Sequence, residues 1–141
     1  MANKKSISLR KACNHILSTV TTLEIGLDIL AVSNLKKLPR RTHELEHAVG
    51  TSIVPACLDI YEGVREVTDS DGTNADKAEG IVSIAAGAAH IAVRGYVFSK
   101  GRASKKAIAT MYATDMISNT VMLVRTLKEI KNEIKEENFE E

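Results

Sequence analysis

The sequence predicts an all-α protein, a four-helix bundle of up-down-up-down topology. Three observations carry this. Leu9, Cys13, Ile16, Val20, Leu23, Leu27 and Leu30 follow one another at spacings of 4, 3, 4, 3, 4 and 3, a coiled-coil repeat held over three heptads. Clusters of turn residues divide the rest of the chain into long apolar-periodic stretches, and no stretch alternates as a strand does. Aromatic content is only 4 % with no Trp, so the core is expected to be aliphatic and Ala-rich, which suits closely packed helices. At 141 residues the chain, 1–141, reads as one domain with a continuous core.

The first helix is expected over about 6–37, because Pro39 disfavours helical geometry at Leu38. The second, about 42–67, carries Leu45, Val49, Ile53, Ala56, Ile60, Val64 and Val67 on one face, with a bend expected at Pro55. The Asp, Gly and Asn cluster at 69–74 is a turn. The third helix, about 75–99, holds Gly80, Gly87 and Gly95 among alanines. Glycine inside a helix costs about 1 kcal/mol relative to Ala, so a second helix is expected to approach it closely, within the subunit or across a subunit boundary. Gly101 suits the left-handed conformation that ends this helix, and Ser104 suits the N-cap of the fourth, about 104–135. That helix is expected to pack through Ile108, Met111, Ile117, Val121, Val124, Leu127, Ile130 and Ile134, with Glu136 to Glu141 fraying.

Net charge is +1 and charged content 26 %, so bulk charge points to no partner class. No long apolar run follows Lys4 and Lys5, and Ile81–Phe98 is broken by His90 and Arg94. Neither a signal peptide nor a membrane span is expected, and the expected location is the cytoplasm. Around the bend at Pro39, Cys13 and Cys57 stand roughly 12 Å out of register, too far for a disulfide, so both are expected as reduced core thiols.

Charge distribution is more informative. Lys36, Lys37, Arg40 and Arg41 lie in the first turn region; Lys100, Arg102, Lys105 and Lys106 lie in the third. An up-down-up-down bundle puts the first and third turns at one end, so eight of the nineteen Lys and Arg residues converge there. Lys36 and Lys37 are favoured by the helix dipole, whereas Lys105 and Lys106 oppose it and make the start of the fourth helix an anion site. These eight are the candidate nucleic-acid-binding residues, acting on phosphates; no aromatic is interleaved with them, so base stacking is not expected.

His43, Glu44 and His47 have a spacing that ligates metal in paired copies, but the motif occurs once, so no metal site is expected. His90 and Asp115 are expected as a hydrogen-bonded pair inside the bundle. His15, Glu24 and Asp28 read as ordinary helix polar positions. No nucleophile-base arrangement, phosphate-binding glycine loop or cysteine cluster is present, so no catalytic residue and no cofactor are expected.

Three stretches resemble one family. They are Leu35-Lys36-Lys37-Leu38-Pro39-Arg40-Arg41 leading into His43-Glu44-Leu45; Ser52-Ile53-Val54-Pro55-Ala56-Cys57-Leu58-Asp59-Ile60-Tyr61-Glu62-Gly63; and the layout of Arg94 through Lys128. Their order resembles the Avd proteins, the accessory variability determinants of diversity-generating retroelements. It also resembles the related four-helix bundles encoded in intervening sequences of bacterial large-subunit ribosomal RNA genes. Arg125-Thr126-Leu127 stands where that family carries a tryptophan. The resemblance implies a ring-shaped homo-oligomer, a homopentamer. It implies a non-catalytic accessory protein that binds a reverse transcriptase and its template RNA, with DNA as a second phosphate-backbone ligand, and supports mutagenic cDNA synthesis. The alternative is a structural or interaction bundle of the ribosomal-RNA intervening-sequence type with no retroelement role.

Overall fold

A computed structural model describes residues 4–38, 40–41 and 53–140, with side chains from Leu9 to Phe139. Among the described residues there are four α-helices and no strand: α1 (Lys4–Ser33), α2 (Ile53–Thr68), α3 (Asn74–Ser99) and α4 (Lys105–Glu140). A single 3-10 turn, Leu35–Lys37, follows α1. The start expected for the second helix at 42, with Leu45 and Val49, lies outside the described residues. So do Pro39 and the His43-Glu44-x-x-His47 motif. Pro55, where a bend was expected, stands at the edge of the described part of α2.

Chain direction follows from the contacts. Asn14 of α1 donates to Glu133 of α4 at 2.9 Å, and Asp28 of α1 hydrogen-bonds Asp115 of α4, so α1 and α4 are antiparallel. Gly63 of α2 meets Gly80 of α3, and Ala56 meets Gly87, so these two are antiparallel as well. Lys128 pairs with Glu79 and Arg125 with Ser83, which sets α4 antiparallel to α3. The topology is up-down-up-down. Its main packing pairs are α2 on α3 and α1 on α4, and α4 also contacts α3 and α2.

The glycine expectation resolves within the subunit. A Cβ on Gly63 would stand 2.5 Å from the Gly80 carbonyl oxygen, one on Gly80 2.8 Å from that of Gly63, and one on Gly87 would overlap the Ala56 carbonyl. Backbone therefore lies against backbone along α2 and α3. Gly95 has open space around its Cβ position. Thr73 caps α3 in a full capping box with Asp76, which holds the Asp76 carboxyl below its ordinary range through the Thr73 hydrogen bonds.

The apolar seam of α1 corrects the sequence reading. Leu9, Cys13, Ile16, Val20, Leu23, Leu27 and Leu30 are all exposed, and among the described side chains of α1 the buried ones are Asn14, Thr21 and Asp28. Both sets repeat at heptad spacing, so either could face inward. The polar set does so because it meets a polar face of α4, where Asp115, Ser118, Asn119, Arg125 and Thr126 are buried. Ile117, Val124, Leu127 and Ile134 of α4, expected in the core, point outward, whereas Ile108 and Met111 are buried as expected. Ile53 and Val64 of α2 are exposed too, while Ala56 is buried. Cys13 and Cys57 are exposed free thiols rather than core residues.

Two boundaries also shift. α1 stops at Ser33, where the 3-10 turn takes over. α4 runs to Glu140 instead of fraying after Lys135, with Lys11 of α1 ion-paired to Glu137 in that last stretch. By length and composition alone, Leu9–Ser33 and Asn74–Ser99 are each long and apolar enough to cross a membrane.

The glycine contacts define a paired test. Gly87→Ala is expected to lower stability by about 1–3 kcal/mol, because the added methyl has no room. Gly95→Ala is expected to raise it by up to about 1 kcal/mol, through helix propensity alone. Denaturant midpoints of the two variants should therefore move in opposite directions; a shift of Gly87→Ala toward higher stability would refute the backbone contact.

Candidate nucleic-acid interface

The first and third turn regions meet at one end of the bundle. The Ala103 amide donates to the Arg40 carbonyl at 2.9 Å, and the Arg40 Nε donates to the Ala103 carbonyl at 3.2 Å. Arg41 and Arg102 pair as an isolated antiparallel bridge. Two local features prepare this clip. Gly101 takes φ +64°, which reverses the chain after α3, and the Ser104 hydroxyl accepts from the Ala107 amide at 3.1 Å, which starts α4. Beneath the clip lies an apolar cluster of Val97, Ala103, Ile108, Met111 and Tyr112, packed by Leu35, Leu38 and Phe98. The turn residues Leu35, Leu38 and Ala103 thus anchor the basic loops from below.

All eight candidate residues are exposed. Lys36, Lys37 and Lys105 line one open cleft of about 520 Å³, together with Val32, Ser33, Asn34 and Leu35. Arg40, Arg41 and Arg102 sit on the clip itself, and Lys106 follows on the first turn of α4. Among the described residues the ion pairs lie elsewhere, on α1, α2, α3 and α4 away from this end. The turn with Asp69, Asp71 and Asp76 joins α2 to α3 at the opposite end. The acidic turn thus stands opposite the basic loops, although Arg10, Lys11, Lys128, Lys131 and Lys135 also lie toward that end.

One aromatic does adjoin the basic set, contrary to expectation. Lys100 Nζ stands 4.9 Å from the centre of the Tyr96 ring, and Tyr96 is exposed. Its signal was the spacing of four on one helix face, which puts two side chains in contact.

A second polar group lies inside the bundle. Asp28 and Asp115 share a hydrogen bond between their carboxyls, Asn119 donates to Asp115 at 3.2 Å, and His90 Nε2 is 3.4 Å from Asp115 Oδ1. His90 and Asp115 face each other inside the bundle as expected, but the His90 Nε2 makes no hydrogen bond among the described residues. Asp28, read as an ordinary helix position, belongs to the same cluster. Further along α4, Ser118 donates to Asp59 at 2.6 Å, and Arg125 donates to Glu66 at 2.9 Å and Ser83 at 2.6 Å. Burial pushes Asp59 up to about 7 and Asp115 up to about 9, the latter also through the Asp28 carboxyl beside it. Burial and nearby Arg94 push His90 down to about 4. Asp59 and Arg125 were missed in the sequence, since a polar residue on an otherwise mixed helix face gives no sign of direction. Chemically this band can hold and share protons, and it fixes helix register.

Comparison of the chain with protein-family models, with curated proteins and with solved structures gives no match.

The carboxyl shifts have a definite sign. A raised carboxyl contributes stability that is complete below its unfolded value and is lost as pH rises through its folded value. A lowered histidine contributes in the opposite sense, but only below its unfolded value of 6.5. Between pH 6.5 and 9 only the carboxyls act, so the thermal midpoint should fall as pH rises across that window. Asp115→Asn should remove most of this slope; a midpoint independent of pH in the unmutated protein would contradict the buried carboxyl cluster.

Proposed function

We propose that this protein is a non-catalytic nucleic-acid-binding accessory subunit acting in the cytoplasm. Its ligand is the phosphate backbone of RNA, and secondarily DNA. The observation that carries this reading is the convergence of Lys36, Lys37, Arg40, Arg41, Lys100, Arg102, Lys105 and Lys106 on one end, clipped together by the Arg40–Ala103 hydrogen bonds. Phosphate contacts position a chain without reading its sequence, which suits an accessory role. Exposed Tyr96 beside Lys100 adds a surface on which one base can stack.

The resemblance to the Avd family extends this to a diversity-generating retroelement. The partner is then a reverse transcriptase with its template RNA, the outcome is mutagenic cDNA synthesis, and the assembly is a ring of five. The runner-up is an interaction bundle with no retroelement role, favoured by the apolar side chains that α1 exposes.

Charge reversal tests the basic end. Lys36, Lys37, Lys105 and Lys106 are changed together to Glu, sparing Arg40 because its Nε holds the clip. Helicity should be unchanged. Affinity for single-stranded RNA should fall at least about tenfold, and log affinity in the unmutated protein should fall with log salt by about 0.7 per phosphate contacted. Lys131→Glu with Lys135→Glu, at the other end, should have little effect. Equal losses from both sets would mean that charge acts globally and that no interface exists at the basic end.

A further inference from the structure

An open groove runs between α3 and α4 next to the basic loops. Ala92, Val93 and Tyr96 form its α3 wall, and Ala107 and Thr110 its α4 wall, around a volume of about 320 Å³. The lining is apolar apart from the hydroxyls of Tyr96 and Thr110, and Thr110 already donates to the Lys106 carbonyl at 2.8 Å. Tyr96 is 57 % exposed, so its ring is presented to the groove and to solvent instead of packing in the core. Gly95 beside it has open space at its Cβ position, and the small side chains of Ala92 and Ala107 leave the ring accessible.

Charge surrounds the groove on the loop side. Lys100 holds its ammonium 4.9 Å from the centre of the Tyr96 ring. Lys106 adjoins Ala107 and stands one helical turn before Thr110. From Ile91 to Thr114, the stretch that forms both walls and the loop between them, the charged residues are Arg94, Lys100, Arg102, Lys105 and Lys106, with no Asp or Glu. A complementary occupant is therefore flat and apolar where it meets the ring, and anionic on either side. An unpaired nucleobase between its own phosphates has that form.

We propose that this groove takes one unpaired base of a single-stranded RNA or DNA, stacked on Tyr96, and so makes the basic end selective for single strands over duplex. The proposal rests on the reading of the basic end as a phosphate-binding surface and adds what that surface alone lacks. Contacts to phosphate position a nucleic acid but do not read its bases. In a duplex each base is paired and stacked between neighbours, and presenting its face to Tyr96 costs that stacking; in a single strand the cost is least. The groove is at the small end of ligand sites, which run from roughly 300 to 1,000 Å³, and suits one base. Stacking tolerates any base, so the selectivity is for strand state and not for sequence. Lys100, held on the ring by a cation–π contact in the free protein, is placed to pair with a phosphate flanking the stacked base.

Binding of a single-stranded RNA and of a duplex RNA of the same length, measured side by side, tests this. Tyr96→Ala should lower single-strand affinity by about five- to a hundredfold, the loss of one stacked base, and leave duplex affinity and helicity unchanged. Tyr96→Phe should keep both affinities, because the ring face is retained. Ala92→Leu, at an exposed position, should reproduce the Tyr96→Ala pattern by filling the groove with every charge left in place. A single strand carrying 5-iodouridine should photo-cross-link to Tyr96 and not to Tyr61, which is exposed on α2. If Tyr96→Ala and Ala92→Leu weaken neither ligand, or weaken both alike, the proposal is overturned; the phosphate-binding reading still stands if charge reversal at Lys36, Lys37, Lys105 and Lys106 weakens both. If the unmutated chain binds neither RNA, both readings fall. Binding confined to phosphatidylglycerol vesicles and lost in Tyr96→Ala assigns the groove to anionic lipid and also overturns the proposal.

Discussion

The inward face of α4 is polar, and the rest of the bundle is arranged around it. Asp115, Ser118, Asn119, Arg125 and Thr126 are buried on that face. Groups of this kind are costly in an apolar interior unless they are hydrogen-bonded, so each neighbouring helix must bring a partner to a fixed height. α1 brings Asp28, α2 brings Asp59 and Glu66, and α3 brings Ser83 and His90. Register is thereby set by pairs of atoms rather than by interdigitating aliphatics. The small volume of these side chains is consistent with the close α2–α3 approach at Gly63, Gly80 and Gly87. It also turns large apolar residues outward on all four helices.

Much of the architecture was legible because it depends on local chemistry. The capping residue Ser104, the positive φ at Gly101 and the turn cluster around Asp69 each act within a few residues. Given the helices and their order, the meeting of the two basic regions follows from topology. Which face of a helix is buried does not. Leu9 to Leu30 and Asn14, Thr21 and Asp28 share one period, and only the partner helix decides between them. The Arg125–Glu66–Ser83 contact joins three helices far apart in sequence, so no spacing rule marks it.

The candidate interface and the buried band divide the labour along the molecule. The apolar cluster around Ile108 and Met111 sits under the basic end and supports the loops that carry the lysines and arginines. The middle is polar within and apolar without. The turn at the far end is acidic and closed by the capping box at Thr73. Positive charge therefore arises from placement, in a chain whose formal charge is only +1.

The protonation of His90 tests the inward-facing polar band most directly. His90 is fully buried, and its Nδ1 is 3.4 Å from Thr114 Oγ1, whose own hydrogen goes to a main-chain carbonyl. Burial keeps the ring neutral, and a proton on Nδ1 faces the Thr114 hydroxyl oxygen, with the Met111 main chain also hydrogen-bonded to the ring. Nitrogen-15 NMR of the imidazoles, with His90→Gln to assign the resonance, should show that tautomer and a midpoint near the value of about 4 set by burial. A His90 titration near 6.5 would place the ring in water and would contradict an α4 whose polar face is turned into the bundle.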